Sequence, residues 1–298
     1  MRRGLVLGCG GTVGGAWQVG ALAAVSRALS WDPRKAAVIV GTSAGASLAA
    51  MLGAGVGLDE LLAAHRDDPS ARPSVRRFFT QPPAPRPAIP FGRPSWQLAL
   101  LGIRRREPLA TLAGLALPGR TDPGFLDRLV DDLKPDHPAM WSVAVDAHSG
   151  ERVAFGAPEA PAAPLRDAVR ASWAVPGWYP PVTIDGRRYL DGGVASTASA
   201  DLVAGLGLDE VVVIAPMASP DGARAGGFGG RLESLLRKPM SRGLARETAL
   251  LESAGTRVVL VCPSTSELAE MGPNFMDPRR RLPALEAALS SARQGAPR

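Results

Sequence analysis

The sequence predicts an α/β fold in which helices cover both faces of a mostly parallel β-sheet. Short apolar segments at 4–8, 36–40 and 210–214 have the length and composition of buried strands, and segments with helical spacing of apolar residues lie between them. Parallel neighbours need such helical crossovers, because the chain must return to the same end of the sheet before the next strand begins. We therefore expect a three-layer α/β/α domain.

Composition limits the partners of this domain. The chain has 298 residues, of which 46% are hydrophobic, so it can bury one sizeable core. A formal net charge of +6 favours anionic partners such as acidic lipid surfaces, although an arginine-rich solvated surface is the simpler explanation. We do not expect nucleic-acid binding, because the sequence shows no helix-turn-helix, zinc-ligand spacing or aromatic-studded basic strand.

Cysteine content and hydropathy bear on the compartment. Cys9 and Cys262 are too few for a disulfide scaffold and form no CxxC pair, which suits a reducing environment. No segment approaches the roughly 20 consecutive apolar residues of a membrane span. We therefore expect a cytoplasmic protein, and any contact with a membrane should be peripheral.

One segment interrupts the α/β pattern. Residues 68–108 include a proline-dense stretch at 81–97, which cannot sustain a helix or a central strand. The segment combines the arginines at 104–106 with apolar residues that include Phe79 and Leu98. We expect a lid-like insertion that contacts an anionic lipid surface; a solvated proline-rich loop is the alternative.

The motif GTSAG at 41–45 directly follows a predicted buried strand and precedes a helix of small residues at 43–52. Gly41 and Gly45 allow the chain to turn sharply, which presents the Ser43 hydroxyl at the carboxyl edge of the sheet beside a helix N-terminus. This context is typical of a nucleophilic serine. The alternative is a serine that merely occupies a tight turn.

A second glycine-rich segment, GCGGTVGG at 8–15, follows the first predicted strand. Gly10, Gly11 and Gly14 leave backbone N–H groups free to converge ahead of a helix, and such a group of amides can bind a developing oxyanion. A dinucleotide-binding loop is the alternative. It is disfavoured because Val13 stands where the third glycine should fall, and because the second strand does not end in an acidic residue.

The third motif is YLDGG at 189–193, in which an acidic residue leads from a short strand into two glycines. Gly192 and Gly193 let a neighbouring backbone approach closely, so that Asp191 is fixed in direction. A hairpin with its turn at Asp185 and Gly186 should precede it. Taken singly, Asp-Gly-Gly is usually a turn, and its functional weight comes from the other two motifs.

Histidine positions separate the classes of hydrolase. An α/β-hydrolase triad runs from Ser through Asp or Glu to a late His. No histidine follows Asp191, and a triad of Ser43 with Asp122 or Asp131 would have to use His148 in mid-chain. We therefore favour a Ser/Asp dyad and expect the histidines to be ordinary surface or loop residues. They are His65, His137 and His148.

The three segments 8–15, 41–45 and 171–193 together resemble the signature blocks of the patatin-like phospholipase family, in order and separation. The resemblance implies one patatin-like acyl hydrolase domain over residues 1–298, with the lid-like insertion at 68–108. It implies a lipid or acyl-ester substrate, an acyl-enzyme intermediate, and neither metal nor organic cofactor. A general esterase with soluble substrates and a catalytically silent lipid-binding homologue stay as alternatives.

Carried over to this sequence, the resemblance makes Ser43 the nucleophile and Asp191 its proton acceptor. The backbone amides of Gly10, Gly11 and Thr12 would then hold the oxyanion.

Two positions depart from the family's Gly-Gly-Gly-x-Arg-Gly loop. Cys9 stands at the first glycine and Val13 at the arginine, so the charge of that arginine is missing. An aspartate with an ordinary pKa of about 3.9 is a weak base for a hydroxyl group, and the amides should therefore supply much of the stabilisation.

Overall fold

We analysed a computed structural model of the chain. It describes residues 1–83, 88–219 and 227–294, with side chains at 1–83, 88–219 and 237–291. In the described part of the chain the strands form a single sheet of eight, in the order β5-β6-β3-β2-β1-β7-β8, with β4 paired to β3. The strands are β1 (Arg3–Leu7), β2 (Val38–Thr42), β3 (Met140–Asp146), β4 (Arg152–Phe155), β5 (Val182–Ile184), β6 (Arg187–Asp191), β7 (Glu210–Ile214) and β8 (Arg257–Val261).

Helices connect these strands and cover the sheet. Within the described residues, no helix is both long and apolar enough to cross a bilayer. The helices are α1 (Gly11–Ala28), α2 (Ala44–Gly53), α3 (Leu58–His65), α4 (Pro73–Thr80), α5 (Trp96–Arg105), α6 (Pro108–Leu115), α7 (Gly124–Leu133), α8 (Leu165–Ser172), α9 (Gly227–Ser253), α10 (Thr265–Met271) and α11 (Arg281–Gln294).

The sheet has two buried faces, which gives the three layers that the sequence predicts. Side chains of a strand alternate between faces: Leu5 and Leu7 of β1 pack with α1, α2 and α11. Val6, between them, packs on the opposite face with Leu244 of α9. The core strands β3, β2, β1, β7 and β8 are parallel. The antiparallel pairs lie at the β3 side of the sheet.

Strand β3 brings two distant parts of the sequence together. The first half of β3 pairs with the parallel strand β2, which ends with Thr42 opposite Val143. The second half pairs with the antiparallel strand β6, which ends with Asp191 opposite Ala144. Because β4 pairs with residues of both halves, β2 and β6 must share the other edge of β3. Their carboxyl ends therefore meet head to head, one register position apart.

Two local predictions need correction. The glycine-rich segment 8–15, predicted to be a loop ahead of a helix, already contains the start of α1 at Gly11. The insertion at 68–108 contains α4 and α5, which flank the proline-dense stretch at 81–97 and overlap it only at residues 96 and 97. Two of its apolar residues, Phe79 and Leu98, are buried in the protein and cannot contact a membrane. The prolines interrupt the segment without preventing short helices, since proline is compatible with the first turn of a helix.

Candidate active site

Ser43 lies at the turn between β2 and α2, in a strained backbone conformation with φ 56° and ψ −119°. Positive φ in a residue with a side chain costs about 1–3 kcal/mol, and such strain concentrates at functional sites. The glycines on either side are sterically required. A Cβ at Gly41 would overlap the carbonyl of Gly45, and one at Gly45 would overlap the carbonyl of Leu7. The GTSAG motif thus forms the predicted sharp turn.

A second serine fixes this turn. The Ser43 amide donates a hydrogen bond of 2.8 Å to Oγ of Ser172, at the end of α8. The Ser172 hydroxyl donates in turn to the Val143 carbonyl of β3, at 2.7 Å. Ser172 is fully buried, and its hydroxyl ties the elbow to the sheet. Sequence reasoning missed this residue, although it lies within the block 171–193.

Asp191 is buried at the end of β6, with 4% of its surface exposed. Its Oδ1 accepts a 2.7 Å hydrogen bond from the Gly193 amide, which fixes the direction of the carboxyl group. Gly192 lies against the Val143 carbonyl, at a distance that leaves no room for a side chain. The two glycines therefore do what the sequence predicts: one allows close packing on β3 and the other holds the carboxylate.

Burial raises the pKa of Asp191 from 3.8 to about 7, an effect that hydrogen bonding from Ser43 and from the Gly193 amide partly offsets. The other carboxyl oxygen, Oδ2, has no partner of standard hydrogen-bond geometry. We interpret the Ser43 contact as looser than a fully formed hydrogen bond, which is common in sites without substrate. The expectation of an ordinary weak aspartate is thus wrong, because desolvation makes Asp191 a stronger base.

Residues at the start of α1 line the same cavity as Ser43. Among the described residues, no acceptor takes the amides of Gly10 and Gly11, whereas the Val13 amide donates to the Phe275 carbonyl. Gly11 has φ +59°, and a Cβ there would lie 2.6 Å from the Phe275 ring. The first turns of α1 and α2 contain no acidic residue that would offset their positive ends.

Ser43 and Asp191 open into one cavity of about 280 Å³, which Gly10 and Gly11 also line. Thr12 lies outside it and lines a smaller neighbouring pocket. Of the predicted oxyanion residues, the structure thus brings Gly10 and Gly11 to the cavity but not Thr12. The rest of the lining is mainly apolar, and includes Leu109, Leu112, Val175, Met217, Met240 and Phe275. No sequence pattern indicates Met240 or Phe275, which lie far along the chain from the three motifs.

The two departures from the family loop differ in position. The Val13 side chain is buried in the core and does not line the cavity. Cys9 does line it, with its Sγ 3.5 Å from the Thr197 hydroxyl. Burial and the nearby charge of Asp191 raise the pKa of the Cys9 thiol to about 12, so the thiol is protonated at neutral pH.

None of the three histidines lines the cavity that holds Ser43. His148 is exposed, as are Asp122 and Asp131, so the mid-chain triad has no support in the structure. The prediction that His65 is an ordinary surface or loop residue is wrong, because His65 is fully buried. Its ring stacks on Phe79, and burial lowers its pKa well below 6.5.

A strained serine between strand and helix, next to a buried carboxylate and unengaged amides, is an arrangement of the serine-hydrolase type on a three-layer α/β/α fold. A sequence model described as patatin-like phospholipase matches residues 5–204, more than half of the chain. The chain belongs to the patatin-like phospholipase family. Members of this family are generally lipid acyl hydrolases.

Further comparisons add little to this assignment. No curated protein sequence matches the chain. Among solved structures, the chain is similar to VipD from Legionella pneumophila, with 16% sequence identity and a TM-score of 0.44. That similarity covers 98% of this chain and 66% of the VipD chain.

Proposed function

We propose that this protein hydrolyses carboxylic esters of lipids through a Ser43/Asp191 dyad and an acyl-enzyme intermediate. The observation that carries the proposal is the meeting of β2 and β6 on one edge of β3, which brings a strained serine and a buried carboxylate to the same cavity. Membership of a lipid hydrolase family supports the same reaction class.

In the first step, Oγ of Ser43 attacks the ester carbonyl while Asp191 accepts the hydroxyl proton. The carbonyl oxygen becomes an oxyanion, which the amides of Gly10 and Gly11 and the positive ends of two helices stabilise. Collapse of the tetrahedral intermediate breaks the ester bond. The proton on Asp191 passes to the leaving alkoxide, and the acyl group stays on Ser43.

In the second step, water attacks the acyl-enzyme and gives its proton to Asp191. The second tetrahedral intermediate expels the Ser43 alkoxide, which takes the proton back, and the carboxylic acid leaves. A pKa of about 7 suits both roles of Asp191, because a group that accepts and returns a proton works best near the ambient pH. The apolar lining of the cavity would hold the acyl chain during both steps.

An exposed apolar face next to this cavity supports a lipid substrate. The helices α5 and α6 pack against each other as a hairpin. Trp96, Leu100 and Ile103 recur at helical spacing on the exposed side of α5, and Leu112 on α6 is 57% exposed while it also lines the cavity. The face therefore reaches the opening. The exposed arginines at 104–106, which form no ion pair with the described residues, complement an anionic bilayer.

Covalent labelling distinguishes the proposal from a silent homologue. A fluorophosphonate should label the wild type at Ser43, and mass spectrometry should find no label in a folded Ser43→Ala variant. The same two proteins are then assayed with lipid esters and with a soluble ester such as p-nitrophenyl butyrate. Absence of labelling and turnover in the wild type would favour the silent homologue, and turnover of monomeric esters alone would favour a general esterase.

Vesicle flotation tests the membrane-facing role of the hairpin. Wild type should float with vesicles rich in phosphatidylglycerol, and a Leu100→Glu/Ile103→Glu variant should not. Leu250→Glu is the matched control, because Leu250 is an exposed leucine on α9. Equal flotation of all three proteins would exclude the hairpin as the contact.

A further inference from the structure

A second, larger cleft adjoins the candidate active site. Its volume is about 1000 Å³, and its lining is polar and apolar in similar proportion. Leu109, Val194 and Met240 line both this cleft and the cavity that contains Ser43. A molecule whose ester bond lies at Ser43 would therefore place its acyl part in one space and its leaving group in the other.

The charges in this cleft are unbalanced. One wall carries Arg105 and Arg106, at the junction of α5 and α6. Helix α9 also lines the cleft, and its residues Lys238, Arg242 and Arg246 are spaced four residues apart and so lie along one side of the helix. All five side chains are exposed, and none of them forms an ion pair within the described residues.

Two of the four acidic residues that line the cleft are already engaged. Asp201 binds Arg152 through two hydrogen bonds of 2.6 Å, and Glu247 lies 3.3 Å from the same guanidinium group. Glu247 also accepts a hydrogen bond from the Ala200 amide, at 2.9 Å. Only Glu107 and Glu151 remain without an ion-pair partner among the described lining residues.

Five cations in one cleft repel each other unless an anion lies between them, and arginine is the side chain best suited to bind phosphate oxygens in pairs. We propose that this cleft binds the phosphate of an acyl ester whose leaving group carries a net negative charge. The inference rests on the proposed function, because it places the ester bond of that molecule at Ser43. It gives the protein a preference for anionic over zwitterionic headgroups.

Two sources of such a phosphate are distinguished by substrate choice. Short-chain phosphatidylglycerol and phosphatidylcholine, both below their micelle concentrations, compare an anionic with a zwitterionic headgroup without any bilayer. Butyryl-coenzyme A, a thioester, provides a soluble acyl donor whose leaving group carries the phosphates. p-Nitrophenyl butyrate carries no charge and reports on the Ser43 site alone.

The variants are Arg242→Glu and Arg246→Glu, singly and together, with Arg128→Glu as the control. Arg128 is an exposed arginine on α7, a helix that contributes nothing to the cleft. We expect the kcat/KM of wild type for one of the two anionic substrates to exceed its kcat/KM for the substrates without net charge by about tenfold or more. Each charge reversal should lower that ratio by about tenfold, the factor of one charge-assisted contact. Turnover of p-nitrophenyl butyrate should not change in any variant.

A preference for phosphatidylglycerol that the α9 reversals abolish supports a lipid headgroup, and the same pattern with butyryl-coenzyme A supports a soluble substrate. The inference is overturned if neither anion is preferred, or if Arg128→Glu reduces the preference as much as Arg242→Glu does. Calorimetric titration of the Ser43→Ala variant with phosphatidylglycerol, with and without Arg242→Glu, tests binding even where no ester is hydrolysed. If wild type hydrolyses no ester, the proposed function fails, and the titration alone decides whether the cleft binds phosphatidylglycerol.

Discussion

Replacing Asp191 with Asn should abolish ester hydrolysis and at the same time stabilise the folded protein at alkaline pH. The amide cannot accept the proton of the Ser43 hydroxyl, so turnover should fall to background. The same amide keeps an oxygen for the Gly193 N–H group and can donate to the serine oxygen. It also removes the need to bury a negative charge where Oδ2 has no partner.

The magnitude follows from linkage between protonation and folding. The pKa of Asp191 is about 7 in the folded protein, against 3.8 as its ordinary value. Because the folded state binds the proton more tightly, the wild type loses stability as the pH rises from about 4 to about 7. A shift of about three pKa units lowers the free energy of unfolding of the wild type by about 4 kcal/mol at pH 8, which is an upper value. Between pH 5 and pH 8 the variant should gain about 3 kcal/mol relative to the wild type.

Urea unfolding of both proteins at pH 5, 6, 7 and 8 measures this difference, in which the titrations of all other groups cancel. Asp146→Asn is a suitable control. Burial of Asp146 is outweighed by hydrogen bonds from the His148 amide, Arg187 and the Ser149 amide, so its pKa is lowered. Loss of the Asp146 carboxylate should lower the free energy of unfolding by an amount that does not change with pH above pH 5. A constant difference for Asp191→Asn would refute the raised pKa.

Four further predictions concern the same site. In the wild type, kcat/KM should rise with pH to a plateau with an apparent pKa of about 7, and at pH 5 it should be about a hundredfold lower; a flat profile would contradict Asp191 as the base. Gly11→Ala should reduce kcat by about 10²–10³-fold, because the added Cβ overlaps Phe275 and displaces the Gly11 amide, an oxyanion donor, whereas Gly55→Ala, which has a similar positive φ but an open environment, should only lower the melting temperature. Ser172→Ala leaves the buried Ser43 amide without a partner and should reduce kcat by about tenfold with KM unchanged, so a changed KM alone would argue against its positioning role. Cys9→Ala should keep kcat within a few-fold, and its inactivation would assign the thiol a role in the reaction.

Local chemistry explains which parts of the fold could be predicted from the sequence. The hairpin between β5 and β6 is confirmed, because Asp185 and Gly186 both adopt positive φ, as a two-residue turn of this type requires. Strand β7 coincides with the apolar segment at 210–214. In each case a few adjacent residues determine the structure, so the pattern is visible in the sequence.

Contacts between distant segments explain what could not be predicted. The carbonyl of Phe275 takes the Val13 amide and thereby helps to determine which amides remain for an oxyanion, yet nothing near Phe275 in the sequence indicates such a contact. Ser172 is one serine in a helix until the fold places it between Ser43 and β3. His65 is buried because α3 packs against Phe79, which the sequence places in a proline-rich region.

The raised pKa of Asp191 reflects the neutral surroundings of its carboxyl group. A fixed positive charge beside Asp191 would favour its ionised form and so weaken it as a base. Within the described part of the chain the pKa of Asp191 is set by burial, the Ser43 hydroxyl and the Gly193 amide, and no cation contributes to it. In the proposed mechanism, stabilisation of the oxyanion falls to neutral donors, namely the unengaged amides of Gly10 and Gly11 and the ends of α1 and α2. In this mechanism the neutral surroundings keep Asp191 basic enough to act without a histidine, and Val13, buried away from the cavity, adds no charge to the site.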